Sequence, residues 1–142
     1  MAESPIHQVG CLVYRVIGGE TRVLLLTSRD TGRWVIPKGN IDPGLSPAKA
    51  AALEAYEEAG VTGRIGASLP LGFYTYFKKL RLGESQSVSV EVYLLRFQKQ
   101  FKKWPEKAQR KLWWTSPLEA ARSVDEPGLA RLFLRLLEIQ ES

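Results

Sequence analysis

Residues 34–61, WVIPKGNIDPGLSPAKAAALEAYEEAGV, decide how the rest of the chain is read. Glu54, Glu57 and Glu58 fall at i, i+3 and i+4, a spacing that sets three carboxylates on one face of a helix. Like charges crowded together repel, and a cation among them relieves the repulsion. Upstream, Lys38-Gly39 and Asp42-Pro43-Gly44 predict a loop whose backbone can come close to a ligand. Ser46 is a good N-cap, Pro47 suits the first helical position and Gly60 is a C-terminal stop, so a helix is predicted over about 47–59. By angle around its axis, Ala50 and Ala51 lie beside the glutamates and leave them unobstructed. Ala48, Ala52, Ala55, Tyr56 and Ala59 are expected to press against a sheet. A glycine loop feeding such a helix suits a divalent metal and a phosphate chain.

Outward from this stretch the pattern is mostly extended. Residues 1–8 read as a tail. Val9–Ile17 reads as a strand ended by the Gly18-Gly19 turn, and Arg22–Ser28 as a central strand with a continuous apolar run. Arg29–Arg33 is a short loop before Trp34–Ile36. Gly63 and Gly66 mark a bend, and Leu71–Phe77 is an aromatic-rich strand. A basic hairpin, 78–84, leads into Gln86–Phe97, where Val88, Val90, Val92 and Leu94 alternate with Ser87, Ser89, Glu91 and Tyr93, predicting one buried face. A basic loop, 98–111, precedes a short strand at 112–115. Ser116-Pro117 opens a short helix and Pro127 opens a last one, whose Leu129, Leu132, Phe133, Leu136 and Leu137 form a core stripe. Interleaved strands and helices predict an α/β fold, a mixed β-sheet covered on both sides.

The 142 residues suffice for one domain with a real core, and 44% hydrophobic with 25% charged residues is ordinary globular composition. No apolar run reaches the roughly 20 residues of a membrane span, and the start lacks a signal-peptide pattern. The single cysteine, Cys11, excludes an internal disulfide and fits a reducing, cytoplasmic setting; its apolar surroundings make it core filler. A net charge of +5 favours polyanions, whether a phosphate-rich small molecule or, less favoured, nucleic acid. With one histidine, His7, metal chemistry has to rest on carboxylate oxygens, which favours magnesium, with manganese as the alternative.

The central stretch resembles the Nudix box, G-x5-E-x7-R-E-U-x-E-E-x-G-U, with U a bulky apolar residue. Gly39, Glu54, Glu57, Glu58, Gly60 and Val61 match, and Ala55 is a small residue at the first U. Leu45 stands in place of the first Glu and Leu53 in place of the Arg. Losing both leaves no stranded charge, and apolar contacts are expected to rebuild the support between loop and helix. Trp34-Val-Ile-Pro-Lys-Gly39, Trp104-Pro-Glu106 and Arg110 through Trp114 look like the branch acting on diphosphoinositol polyphosphates and dinucleoside polyphosphates.

The resemblance implies an α/β/α sandwich and a metal-dependent pyrophosphohydrolase attacking a P–O–P bridge with water. It implies a metal set of Glu54, Glu58, Glu57 and the Gly39 carbonyl, with Glu57 able to act as base. Some members add an outside carboxylate, for which Glu106 is the first candidate and Glu91 the second. Lys38 is expected at phosphate; Arg29 and Arg33 are further substrate-binding candidates that could equally be solvated, and Lys78 and Arg110 are candidates with a solvated surface cation as the default. Trp34, Phe73, Tyr74 and Tyr76 could stack on a base, with core packing the default. Hydrolysis of RNA 5′ ends and a catalytically weakened polyphosphate sensor stand as alternatives.

Overall fold

The computed structural model describes residues 6–67 and 69–141, without the side chains of 140 and 141. The strands are β1 (Ile6–Ile17), β2 (Glu20–Thr27), β3 (Trp34–Val35), β4 (Lys38–Asn40), β5 (Val61–Ile65), β6 (Gly72–Lys79), β7 (Ser85–Gln100) and β8 (Leu112–Thr115). The helices are α1 (Pro47–Ala59), α2 (Pro117–Ser123) and α3 (Pro127–Glu141). The strands join in one sheet, ordered β3-β2-β1-β7-β5, with β4 on β1, β6 on β7 and β8 on β2. β1 and β7 run parallel and every other pairing is antiparallel, so the sheet is mixed.

β2 shows why both faces need cover. Val23, Leu24, Leu25 and Leu26 are all fully buried, and because strand side chains alternate they feed two separate cores. Val23 and Leu25 join Leu129, Phe133 and Leu136 of α3, whereas Leu24 and Leu26 join the alanines of α1. The result is an α/β/α sandwich, with α1 on one side of the sheet and α2 and α3 on the other. Among the described residues no helix is long and apolar enough to cross a membrane.

Several boundaries differ from the sequence reading, each for a tertiary reason. β1 begins at Ile6, not Val9, because Ile6–Gln8 pair with Val88–Val90 of β7; the first five residues of the expected tail lie outside the described residues. Lys38-Gly39, expected as loop, form β4 against Val9 and Gly10. The glycine bend after Val61 is instead strand β5, bulged between Thr62 and Gly63, where a Cβ would run into the Arg96 carbonyl. β7 extends through Gln100 because β5 supplies partners to its polar end. Val88, Val90 and Val92 are buried as expected, but Tyr93 and Leu95 are buried too, on the α1 side, so that half of β7 is covered on both faces.

Candidate active site

Capping sets the phase of α1. Ser46 Oγ accepts from the Lys49 N–H at 3.2 Å, and Gly60, at φ 68°, turns the chain out while its N–H donates to the Tyr56 carbonyl at 2.8 Å. The buried face of the helix then runs through Ala50, Ala51, Ala55, Glu58 and Ala59. Ala50 and Ala51, expected to leave the glutamates open, are instead packed against the sheet, at 2% and 0% exposure. Ala48 and Ala52 are half-buried, and Tyr56 turns edge-on to Phe101 at 5.5 Å. The reason is angular: Ala51 and Ala55 lie on the same side of the helix as Glu58, so the small side that lets the helix approach also carries the carboxylate.

β4 brings Gly39 beneath this face. A Cβ at Gly39 would displace the Glu54 carboxylate, so the glycine lets that side chain lie directly against the β4 backbone. Glu54 and Glu58 lie within hydrogen-bonding reach of each other, and Glu58 is only 4% exposed. Burial first, then the bond from Glu54, push the Glu58 carboxyl up to about 9, against the opposing pull of Arg110. In the cation-free protein Glu58 therefore keeps its proton at neutral pH. Glu57 is raised as well, by burial and then by Glu54, Asp42 and Glu106.

Two carboxyls within hydrogen-bonding reach of each other sit where a divalent cation could take the place of the proton on Glu58. The donors on offer, three carboxylates and the Gly39 carbonyl, are all hard oxygens and suit magnesium or manganese. Among the described residues no three acidic, imidazole or thiol groups converge to cage an ion unaided. Magnesium commonly takes one or two carboxylates and completes its shell with water and substrate oxygen, so the donor set fits.

Arg29, Arg33, Lys38, Lys78 and Arg110, scattered over the sequence, line one cleft of about 720 Å³ together with Lys79. Lys38 adjoins Gly39, and its ammonium lies 5.0 Å from the Tyr76 ring; burial lowers its pKa, with Glu58 opposing. Arg110 joins cleft to helix. It reaches Glu58 at 3.5 Å and Glu106 at 2.9 Å, and donates to the Thr27 carbonyl at 3.1 Å. Glu106 comes beside the glutamates because its N–H donates to the Glu57 carbonyl at 3.0 Å. Neighbouring Trp104 donates to the Glu58 carbonyl at 3.2 Å and packs over Gly60. Leu45, in place of an acidic residue, packs at the edge of the α1 core.

Other candidates are not brought into the cleft. Glu91 lies under the α1 side of the sheet, in register with Val9, and accepts from the Tyr93 hydroxyl at 2.6 Å. Trp34 packs on Trp113 at 5.1 Å, Tyr74 is buried, and Phe73 is exposed away from the cleft; Tyr76 alone of the four aromatics lines it. Cys11 is fully buried, as expected, and burial raises its thiol pKa far beyond the usual range. Asp125 and Glu126, not singled out from the sequence, ion-pair with Arg33 at 3.2 and 2.9 Å. Their one local signal was an acidic pair just before the proline that opens α3.

The chain is 39% identical over 62 residues to diphosphoinositol polyphosphate phosphohydrolase 2 of Rattus norvegicus, covering 44% of this chain and 35% of that protein. It is 34% identical over 116 residues to Nudix hydrolase 21, chloroplastic, of Arabidopsis thaliana, covering 79% and 56%. The chain thus spans about a third to somewhat over half of these relatives' lengths. The Ap4A hydrolase of C. elegans, solved as a binary complex, superposes with a TM-score of 0.71 at 24% identity, covering 96% of this chain and 98% of that one, a likeness of fold. The glycine of β4, the glutamates of α1 and the sandwich that joins them all fall within residues 6–136, which match the NUDIX domain model, and the chain belongs to that family.

Proposed function

We propose that the chain is a hydrolase of phosphoric anhydride bonds, cleaving a P–O–P bridge in a polyanionic small molecule with a divalent cation, magnesium in the first place. Family membership supports the reaction class, and the relatives named for nucleotide and inositol polyphosphates support the substrate class. The observation that carries the reading is the Glu54–Glu58 carboxyl pair, pressed against Gly39 and linked through Arg110 to a basic cleft.

Glu54 and Glu58, with Glu57 and the Gly39 carbonyl, would hold the cation. When bound, such an ion neutralises bridging phosphate oxygens and acidifies a water. Lys38 and Lys78 attract and orient the phosphate chain from the cleft wall, and Arg29, Arg33 and Arg110 add to the local field. Glu57, the less buried of the adjacent glutamates, has a raised pKa suited to accepting a proton from the attacking water. Glu106 holds Arg110 beside Glu58 and keeps that positive charge at the junction of helix and cleft. A cytoplasmic setting belongs to the same reading, supported by the single buried cysteine.

The test is turnover of purified protein with magnesium, with manganese and with chelator on dinucleoside polyphosphates, nucleoside triphosphates, capped RNA and inositol pyrophosphates. Products are followed by chromatography and manganese uptake by calorimetry. Cation-dependent cleavage with uptake that disappears in Glu58→Gln is expected. No cleavage under any condition would leave the second reading, a polyphosphate-binding sensor, which the occupation of Glu58 by Arg110 favours.

A further inference from the structure

The six cationic side chains of the cleft are not equally available. Arg33 Nη1 lies 2.9 Å from Glu126 Oε2 and 3.2 Å from Asp125 Oδ2. Arg110 is held between Glu58 and Glu106, and Arg29 donates to Gln109 Oε1 at 3.0 Å with Glu106 at 3.7 Å. Lys38, Lys78 and Lys79 make no ion pair among the described residues. The lysines stand on β4 and β6. The arginines come from the loop before β3 and the segment before β8, and the acidic side chains Asp30 and Asp125 line the cleft beside them. One wall therefore offers free positive charge, while the other has spent its charge on carboxylates.

Glu126 sharpens this division. It is only 8% exposed, and while its Oε2 accepts from Arg33, its Oε1 is buried without a hydrogen-bond partner. It follows Asp125, which lines the cleft, and pairs with Arg33, which lines it too. A buried carboxylate oxygen without a donor is costly, so what holds Glu126 in place is its pairing with Arg33, and its negative charge stays fixed beside that guanidinium. Asp125, exposed over 65% of its side chain, presents a second acceptor at the surface.

We propose that Asp125 and Glu126 are specificity-determining residues. They favour a substrate whose phosphates meet the lysine wall and whose other end presents hydrogen-bond donors, hydroxyl or amino, in place of phosphate. A ring phosphorylated around its whole rim brings anions against Asp30, Asp125 and an Arg33 already neutralised, and is disfavoured. This rests on the reading of the cleft as the substrate site.

The experiment is calorimetric titration of wild type, Asp125→Asn and Glu126→Gln with ADP and with inositol hexakisphosphate at physiological salt. Removing one negative charge close to a bound anion is expected to shift the affinity ratio toward inositol hexakisphosphate by about tenfold in each variant. Asp125 is exposed, so its variant keeps the fold and decides the matter even if Glu126→Gln is unstable. An unchanged ratio in Asp125→Asn, a shift toward ADP, or no binding of either ligand overturns the proposal. Binding needs no turnover, so the two readings fail separately. The ratio shift without hydrolysis of any P–O–P compound sinks the hydrolase and keeps the specificity assignment; hydrolysis without the shift does the reverse.

Discussion

The helices on the two sides of the sheet bury themselves in opposite ways. α3 sets Leu129, Phe133 and Leu136, all fully buried, into one core. α1 meets the other core with Ala50, Ala51, Ala55 and Ala59, and places a buried carboxylate, Glu58, among them. Apolar burial stabilises in proportion to area, so the bulky face of α3 contributes far more per residue than the alanine face of α1. What α1 gains is closeness: its small residues bring the backbone down until Glu54 touches Gly39. One layer supplies stability and the other positions chemistry.

The sharpest way to break this comparison is Phe133→Ala, which should cost about 3–5 kcal/mol in denaturant unfolding. A cost below about 1 kcal/mol would mean that α3 does not carry the core. Glu58→Gln should lower turnover by about a hundredfold or more, the scale for removing one transition-state charge stabiliser, while leaving the fold at neutral pH at least as stable as wild type, because the amide cannot ionise. A variant that unfolds but retains specific activity would reverse the assignment of the two layers. Ala55→Leu should destabilise by about 1–3 kcal/mol through overpacking. It should also lift α1 from β4 and weaken manganese uptake, and normal uptake would show that the close approach is dispensable.

The last expected effect is a pH dependence. The folded-state pKa of Glu58 lies above its unfolded value, raised from 4.5 to about 9, so the folded protein binds the extra proton. Its contribution to stability is complete below about pH 4.5 and is lost as pH rises toward 9. Thermal melts in chelator should thus show falling stability over that window, and Glu58→Gln should flatten this part of the slope. Added magnesium should offset the loss most at the alkaline end, where the carboxyl is easiest to ionise. A wild-type profile identical to that of Glu58→Gln would show that Glu58 holds no extra proton.

Much of this was legible because it is local. The ends of α1 follow from Ser46, Pro47 and Gly60, each acting within one helical turn, and the structure starts and stops the helix at the expected residues. The stripe on α3 is likewise a matter of spacing, and Leu129, Leu132, Phe133 and Leu136 are buried as read. The phase of α1 was misread because alanines are small enough for either face, and only contact with Val9, Cys11 and Leu95 decides which one packs. Strands β4 and β5 read as loop and bend because Lys38-Gly39 lacks β-formers and Gly63 with Gly66 signals a turn around β5; partners on β1 and β7 hold both extended.

The sequence by itself determined the helix that carries Glu54, Glu57 and Glu58, the glycine at the matching distance upstream and the two-sided apolar pattern of β2, since each rests on residues a few positions apart. Only the tertiary structure decided that six dispersed cations line one cleft, that Arg110 reaches Glu58, and that Arg33, 93 positions from Glu126, is neutralised there. Charge pairs have no spacing rule along a chain. They form where the sheet order and the helix connections bring distant segments together, and burial then sets how strongly each pair acts.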